Sequence, residues 1–362
     1  MGCWKKEKQL REVQKKFQKK VSREALTKVQ KSEQKEALTK VEKRRKGDFM
    51  ARVARLKAEE SGDVFYHLYS RVAGVSGYYP LGEKLARAKL IWLFKFYSNI
   101  YRVKIAGFSI MGNHYHLVVE FEEFKKLDRE ELKKIALKMY SRDSIKLGGW
   151  TAEKWERFNR RIFDVSEFMR NVQAAFARWF NDKNHRKGRF WGDRFKSTLL
   201  EDEKAMRDCL YYVELNALRA GIVARPEEYC GCSLFFREIK DDRFMMSLKT
   251  LMNAKNRATA MRDYKASIYY RGNVRSKTGQ QEIPDYIIKQ EEALGFESQG
   301  IYAKRARHFV DGLVIGSSDY IESYLSKLKQ TGQYLRRKNP IKSKNEDALT
   351  LREQRTTEVH IH

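Results

Sequence analysis

The chain has 362 residues, and 75 Lys and Arg against 47 Asp and Glu leave a net charge of +28. A hydrophobic share of 42% with only four prolines excludes a disordered basic tail, a proline-rich linker and a collagen-like chain. No apolar run approaches the roughly 18 residues of a membrane span, so the charge calls for a polyanionic partner, nucleic acid before an anionic membrane surface.

Residues 1–62 read as a basic helical extension. Apolar residues recur three and four apart at Leu10, Val13, Phe17 and Val21. The segment Glu24-Ala25-Leu26-Thr27-Lys28-Val29 returns as Glu36-Ala37-Leu38-Thr39-Lys40-Val41, and two copies are too few for a solenoid. The extension is either a solvated helix with a thin apolar stripe or a phosphate-binding arm. Its lysine-rich start offers no secretory apolar segment. Met1-Gly2-Cys3 is followed by Lys6 where a myristoylation signal has Ser or Thr, so no lipid anchor is expected.

Residues 63–236 read as the main folded unit. A strand is expected over residues 64–72, rich in β-branched and aromatic side chains. A loop with Gly74, Gly77 and Gly82 leads to a helix over 83–101, with Leu85, Leu90, Leu93 and Phe96 at helical spacing. A strand over 102–111, a turn at Gly112-Asn113 and a strand over 114–121 follow. Helical spacing marks 128–142 and 165–181, a basic-aromatic stretch covers 185–200, and a helix covers 201–216. Strands and helices in this order indicate an α+β fold with helices packed on one sheet. Residues 237–285 are charged and weakly patterned and read as a connector. Residues 286–362 read as a small helical C-terminal region with a polar tail, patterned at Ile287, Phe309, Leu313, Tyr320 and Leu325. Cys3, Cys209, Cys230 and Cys232 show no metal-binding spacing, which suits reduced thiols in the cytoplasm.

Three groups of residues could carry chemistry. In His114-Tyr115-His116 the two imidazoles project from one face of a strand, about 6–7 Å apart. They offer two neutral nitrogens to a divalent ion, or they are simply two polar residues facing solvent. On the helix over 201–216, Tyr212 and Asn216 stand one turn apart. A phenol oxygen can serve as nucleophile and an amide oxygen can join two imidazoles around Mg²⁺ or Mn²⁺. The plainer reading makes Tyr212 a core aromatic, as 19 tyrosines and the neighbouring Tyr211 allow. Between His185 and Ser197, cations alternate with rings, and Arg186, Lys187, Arg189, Trp191, Arg194 and Lys196 could meet phosphates and stack on bases. Alternatively the rings turn inward and the charges outward.

Taken in order, Asn113-His114-Tyr115-His116-Leu117, Gly188-Arg189-Phe190-Trp191 with Arg194-Phe195-Lys196-Ser197, and Tyr212 to Asn216 with Arg219-Ala220-Gly221 resemble the single-tyrosine HUH transposases, of the insertion-sequence-200 type, and within them the REP-associated tyrosine transposases. The resemblance runs from about residue 64 to 233. It implies an antiparallel sheet with packed helices, His114 and His116 as ligands of a Mg or Mn ion, Tyr212 as nucleophile, Asn216 as the third residue on the metal side and Arg219 among the DNA contacts. It further implies nicking and strand transfer on single-stranded or hairpin DNA through a 5′-phosphotyrosine, in the cytoplasm at the nucleoid, by a monomer or homodimer and with no membrane partner. Asn216-Ala217 departs from the Asn-Pro of the family. No G-x-x-x-x-G-K-[ST] loop is present, and a transesterification conserves bond energy without nucleotide hydrolysis. The alternatives are a domesticated hairpin-DNA binder that no longer cuts, and a basic RNA-binding protein.

Overall fold

The computed structural model describes residues 62–75, 77–140, 147–273, 280–296, 312–330, 341–342 and 348–350. The extension expected over 1–62 lies outside the described residues except for Gly62, as does the tail beyond residue 350. The elements in chain order are β1 (Val64–Arg71), α1 (Lys84–Ser98), β2 (Val103–Ile110), β3 (His114–Phe121), α2 (Arg129–Met139), α3 (Ala152–Ile162) and α4 (Val165–Lys183). Then come β4 (Lys196–Leu200), α5 (Glu203–Glu214), α6 (Asn216–Arg219), α7 (Ser233–Glu238), α8 (Leu248–Met252), α9 (Arg257–Gly272) and α10 (Asp285–Ala293). The last are β5 (Gly312–Ile315), α11 (Ser318–Gln330), β6 (Ile341–Lys342) and β7 (Ala348–Thr350).

The strands form one sheet in the order β2-β3-β1-β4-β5-β7-β6, antiparallel throughout except for the β4–β5 pair. The expected α+β architecture, a mostly antiparallel sheet with packed helices, is therefore the one observed. β1 is an interior strand, paired with β3 on one side and β4 on the other. Its register sets Leu68 opposite Leu117 and Tyr69 opposite His116, so alternate residues of neighbouring strands share a face.

One face is apolar and lies under α1 and α4. Phe94 of α1 meets Tyr115 and Phe108, and Phe168 of α4 meets Phe121, all in edge or tilted ring contacts. The other face lies under α5, where Val118 and Leu200 join Met206, Cys209, Leu210 and Val213 in a common core. A Cβ on Gly107 would stand 2.4 Å from Leu210 Cδ1 and 2.5 Å from Ser233 Oγ. Only glycine lets α5 and the start of α7 approach β2 this closely, at a register shift between Ile105 and Gly107.

Three stretches differ from expectation. α3 was not foreseen, although Trp155, Phe158 and Ile162 are buried along one side of it and Thr151 caps its start by accepting from the Lys154 N–H. Residues 237–285 are not a connector: α8 and α9 lie there, and Ala260, Tyr264 and Ile268, four apart, are buried against α5. An alanine, a tyrosine and an isoleucine build that stripe among charged neighbours, so its apolar signal is weak while its packing is strong. The buried Glu214 carboxylate accepts from Ser233 Oγ at 2.5 Å, Tyr264 Oη at 3.0 Å and the Leu234 N–H at 3.2 Å. The buried Arg237 guanidinium donates to the carbonyls of Ala106 at 2.7 Å and Met246 at 3.3 Å. The C-terminal region expected to be helical also feeds the sheet, because Leu313 lies in β5 beside β4 and β7 continues from it.

Candidate active site

The loop before β3 closes on itself, with the Met111 N–H donating to the His114 carbonyl at 2.8 Å. Two-residue periodicity then sends His114 and His116 to the α5 face and Tyr115 to the opposite face. Tyr115 is fully buried there, and its hydroxyl accepts from Gln173 Nε2 at 3.4 Å. His114 is half-buried at the mouth of the site, and His116, 2% exposed, lies one residue pair deeper.

The ring nitrogens have defined neighbours. His114 Nδ1 lies 2.8 Å from Asn113 Oδ1, and His116 Nδ1 lies 2.9 Å from Nε2 of His67 on β1. Burial first, and then the Arg71 charge, bring the His114 pKa down to about 4. Burial, reinforced by His67 and His114, holds His116 well below the usual imidazole value. Both rings are neutral at pH 7, the form in which imidazole binds a cation.

α5 brings Tyr212 over this floor. Its ring meets His116 at 5.9 Å between centroids and His67 at 6.4 Å, edge-on in both cases. The Arg219 guanidinium lies 5.5 Å from the centroid of the same ring. Tyr211 points elsewhere, since successive helical residues diverge by about 100°. Its ring packs on Tyr264 and under the Arg271 guanidinium, and its hydroxyl reaches Met252 Sδ at 3.6 Å.

The helix expected over 201–216 is interrupted at Leu215, and Asn216 begins the short α6. Asn216 Nδ2 donates back to the carbonyls of Tyr212 at 3.3 Å and Val213 at 3.1 Å, so Oδ1 is its remaining polar atom. Among the described residues, no three or more His, Cys, Asp or Glu are grouped so as to hold a metal ion. Of the expected metal-side residues, the structure brings the His114 and His116 imidazoles together, with ring centroids 5.3 Å apart and near-perpendicular planes.

The basic-aromatic stretch divides by side-chain type. Phe190 and Trp191 are core residues, packed on Phe176 and Phe180. Trp191, placed among the base-stacking candidates by the sequence, is 9% exposed, and its indole N–H donates to the Gln173 carbonyl at 2.9 Å. A ring held in this way presents no face to a base, so the stacking role is corrected to a packing role. Arg186 is half-buried, donating to Tyr78 Oη at 2.9 Å beside the Phe180 and Phe190 rings. Lys187, Arg189, Arg194 and Lys196 are exposed. Lys196 lies 5.8 Å from the Tyr69 ring and so borders the histidine site.

Three residues at this site escaped sequence reasoning: His67, Tyr69 and Arg71, alternate positions of β1. The Tyr69 ring stands 5.0 Å from His116 and 5.6 Å from His114, and its hydroxyl accepts from Arg71 Nε at 3.1 Å. The available signal was a histidine in the middle of the otherwise apolar strand core Val64-Phe65-Tyr66-His67-Leu68.

No family model matches this chain, and no curated protein matches it. Among solved structures, one of a REP-associated tyrosine transposase bound to a REP hairpin is similar over 53% of this chain and 86% of that one, with 13% identity and a TM-score of 0.33.

Proposed function

We propose that the protein is a tyrosine transposase-type enzyme that nicks and transfers single-stranded DNA, with hairpin DNA as its substrate. The observation that carries this reading is the Tyr212 ring set 5.9 Å from the buried, neutral His116, on the sheet face that also bears His114. The motif order and the net charge of +28 support the choice of nucleic acid.

In this reading Tyr212 Oη attacks a phosphodiester phosphorus. The new Oη–P bond replaces the bond to the 3′ oxygen, giving a 5′-phosphotyrosine and a 3′-OH. The proton lost by the phenol balances the one gained by the departing oxygen. Attack by another 3′-OH reverses the step and joins strands. His114 and His116, with Asn216 Oδ1, would hold a divalent cation, which supplies charge neutralisation at the scissile phosphate. Arg219 places a positive charge beside the ring that acquires negative character during attack. Arg71 and Lys196 border the same face and meet flanking phosphates, while Lys187, Arg189 and Arg194 engage the backbone farther out.

The test is incubation of the full chain with a labelled single-stranded hairpin and Mn²⁺, followed by denaturing electrophoresis and peptide mapping. A covalent adduct at Tyr212 is the expected result. Retention of DNA without adduct would favour a non-cutting binder, and preference for RNA would favour an RNA-binding protein. Mapping to Tyr69, the other phenol beside the imidazoles, would reassign the nucleophile.

A further inference from the structure

His67 lies in the middle of β1, 1% exposed, beneath Tyr212 and beside His116. The two rings are 6° from parallel, with centroids 5.1 Å apart and facing nitrogens 2.9 Å apart. The difference, 5.1 − 2.9 = 2.2 Å, matches the sum of two imidazole radii. The rings therefore lie edge to edge in one plane rather than face to face. Each facing nitrogen points along the line to the other, which is the geometry of a near-linear N–H···N hydrogen bond. Two nitrogens that ligate one ion must instead converge on a third point. His67 Nε2 and His116 Nδ1 share a proton, not a cation.

A neutral imidazole has one N–H. If His67 donates, the proton of His116 sits on Nε2, and His116 has no lone pair left for a cation. If His116 donates from Nδ1, its Nε2 is a lone-pair donor. In His114 the matter is decided by Asn113, whose Oδ1 faces Nδ1 at 2.8 Å and can only accept. A matched pair of ligands requires the same tautomer in His116.

We propose that His67 is a positioning residue: it accepts the Nδ1 proton of His116 and so fixes that imidazole in the tautomer whose Nε2 binds a divalent cation. This rests on reading His114 and His116 as cation ligands. Outer partners of this kind fix ligand tautomer and orientation. A neutral imidazole does so without adding a negative charge beside a phosphodiester, as an orienting carboxylate would.

The test uses the full-length, metal-free chain labelled with ¹⁵N-histidine. Long-range ¹H–¹⁵N spectra at neutral pH, assigned with His116→Gln, read which nitrogen of His116 is protonated, and calorimetric titration without DNA reads Mn²⁺ affinity. The wild type is expected to carry the His116 proton on Nδ1. His67→Leu removes the acceptor and is expected to move that proton to Nε2 and to weaken Mn²⁺ binding about 10–100-fold. His67→Gln keeps an accepting side-chain oxygen and is expected to retain the wild-type tautomer and bind Mn²⁺ within a few-fold of wild type. A wild-type His116 protonated on Nε2 overturns the proposal even if His67→Leu fails to fold. So does a folded His67→Leu chain that binds Mn²⁺ as tightly as wild type. A wild-type chain that binds no Mn²⁺ overturns the cation reading of His114 and His116, and the proposal with it.

Discussion

On the side of the sheet under α1 and α4, β3 contributes Tyr115, Leu117 and Phe121 to a continuous aromatic core. On the side under α5 the same strand contributes His114 and His116 beside Tyr69, His67 and Tyr212. The two sides differ by one step along the chain. The apolar side gains from area removed from water, whatever the exact contacts. The polar side is buried as deeply at His67 and His116, yet desolvation works against it unless each nitrogen finds a partner. One face secures the strand in place, and the other uses that fixed position to hold the imidazoles beside the Tyr69 and Tyr212 rings.

The sharpest way to separate the faces is Tyr212→Phe. It removes one oxygen and keeps the ring, so the covalent DNA adduct should vanish while the melting temperature stays close to wild type. Tyr69→Phe should leave the adduct in place. A surviving adduct in Tyr212→Phe, seen by denaturing electrophoresis, would detach Tyr212 from the chemistry.

Phe121→Ala attacks the other face. Deleting a buried phenyl ring that packs on Tyr66 and Phe168 should cost about 3–5 kcal/mol of stability. Adduct yield per folded molecule should be unchanged. Urea denaturation supplies the first quantity and single-turnover cleavage the second. A drop in yield per folded molecule would mean the faces are coupled.

Acid should weaken the polar face. Burial and the Arg71 charge depress the folded-state pKa of His114 from 6.5 to about 4. Below about pH 6.5 the unfolded chain therefore takes up a proton that the folded chain refuses, and stability falls progressively as pH drops toward 4. His116, also depressed, extends the loss to lower pH. In calorimetric melts His114→Asn should show a shallower acid slope than wild type, and equal slopes would contradict the burial argument.

The smallest expected effects concern exposed cations that belong to neither face. Arg189→Ala and Arg194→Ala should weaken hairpin binding modestly and uniformly across sequences. Each should reduce the slope of log affinity against log salt by about 1, without lowering the melting temperature. Trp191→Ala should do the reverse, lowering stability through lost packing. A Trp191 variant that melts like wild type but binds DNA poorly would restore its stacking role.

Legibility in the sequence followed the range of the interactions. β3, the turn before it and α4 were readable because local alternation or helical spacing decides them. The common face of His114 and His116 followed from strand periodicity alone. His67 and Tyr69 were not readable, because their place beside His116 depends on the β1–β3 register, a pairing of residues about fifty positions apart. The inward turn of Trp191 depends on the Phe176 ring of α4 and the Tyr115 ring of β3. α9 was missed because Arg257, Arg262, Asp263, Lys265 and Arg271 dilute its apolar stripe, while Tyr264 and Tyr269 are fully buried in the structure.

The position of β1 between β3 and β4 sets an order of events. His67 meets His116 once β1 pairs with β3, a closure spanning 116 − 67 = 49 residues. Tyr212 reaches them only after β4 has added to the other edge of β1 and α5 has settled on the face, 212 − 116 = 96 residues further along the chain. Wider closures carry a larger entropic cost and form more slowly. During synthesis the imidazole floor is consequently complete while the phenol is still unmade or undocked. A chain ending before α5 holds the β1–β3 pairing that sets His67 beside His116 but lacks Tyr212.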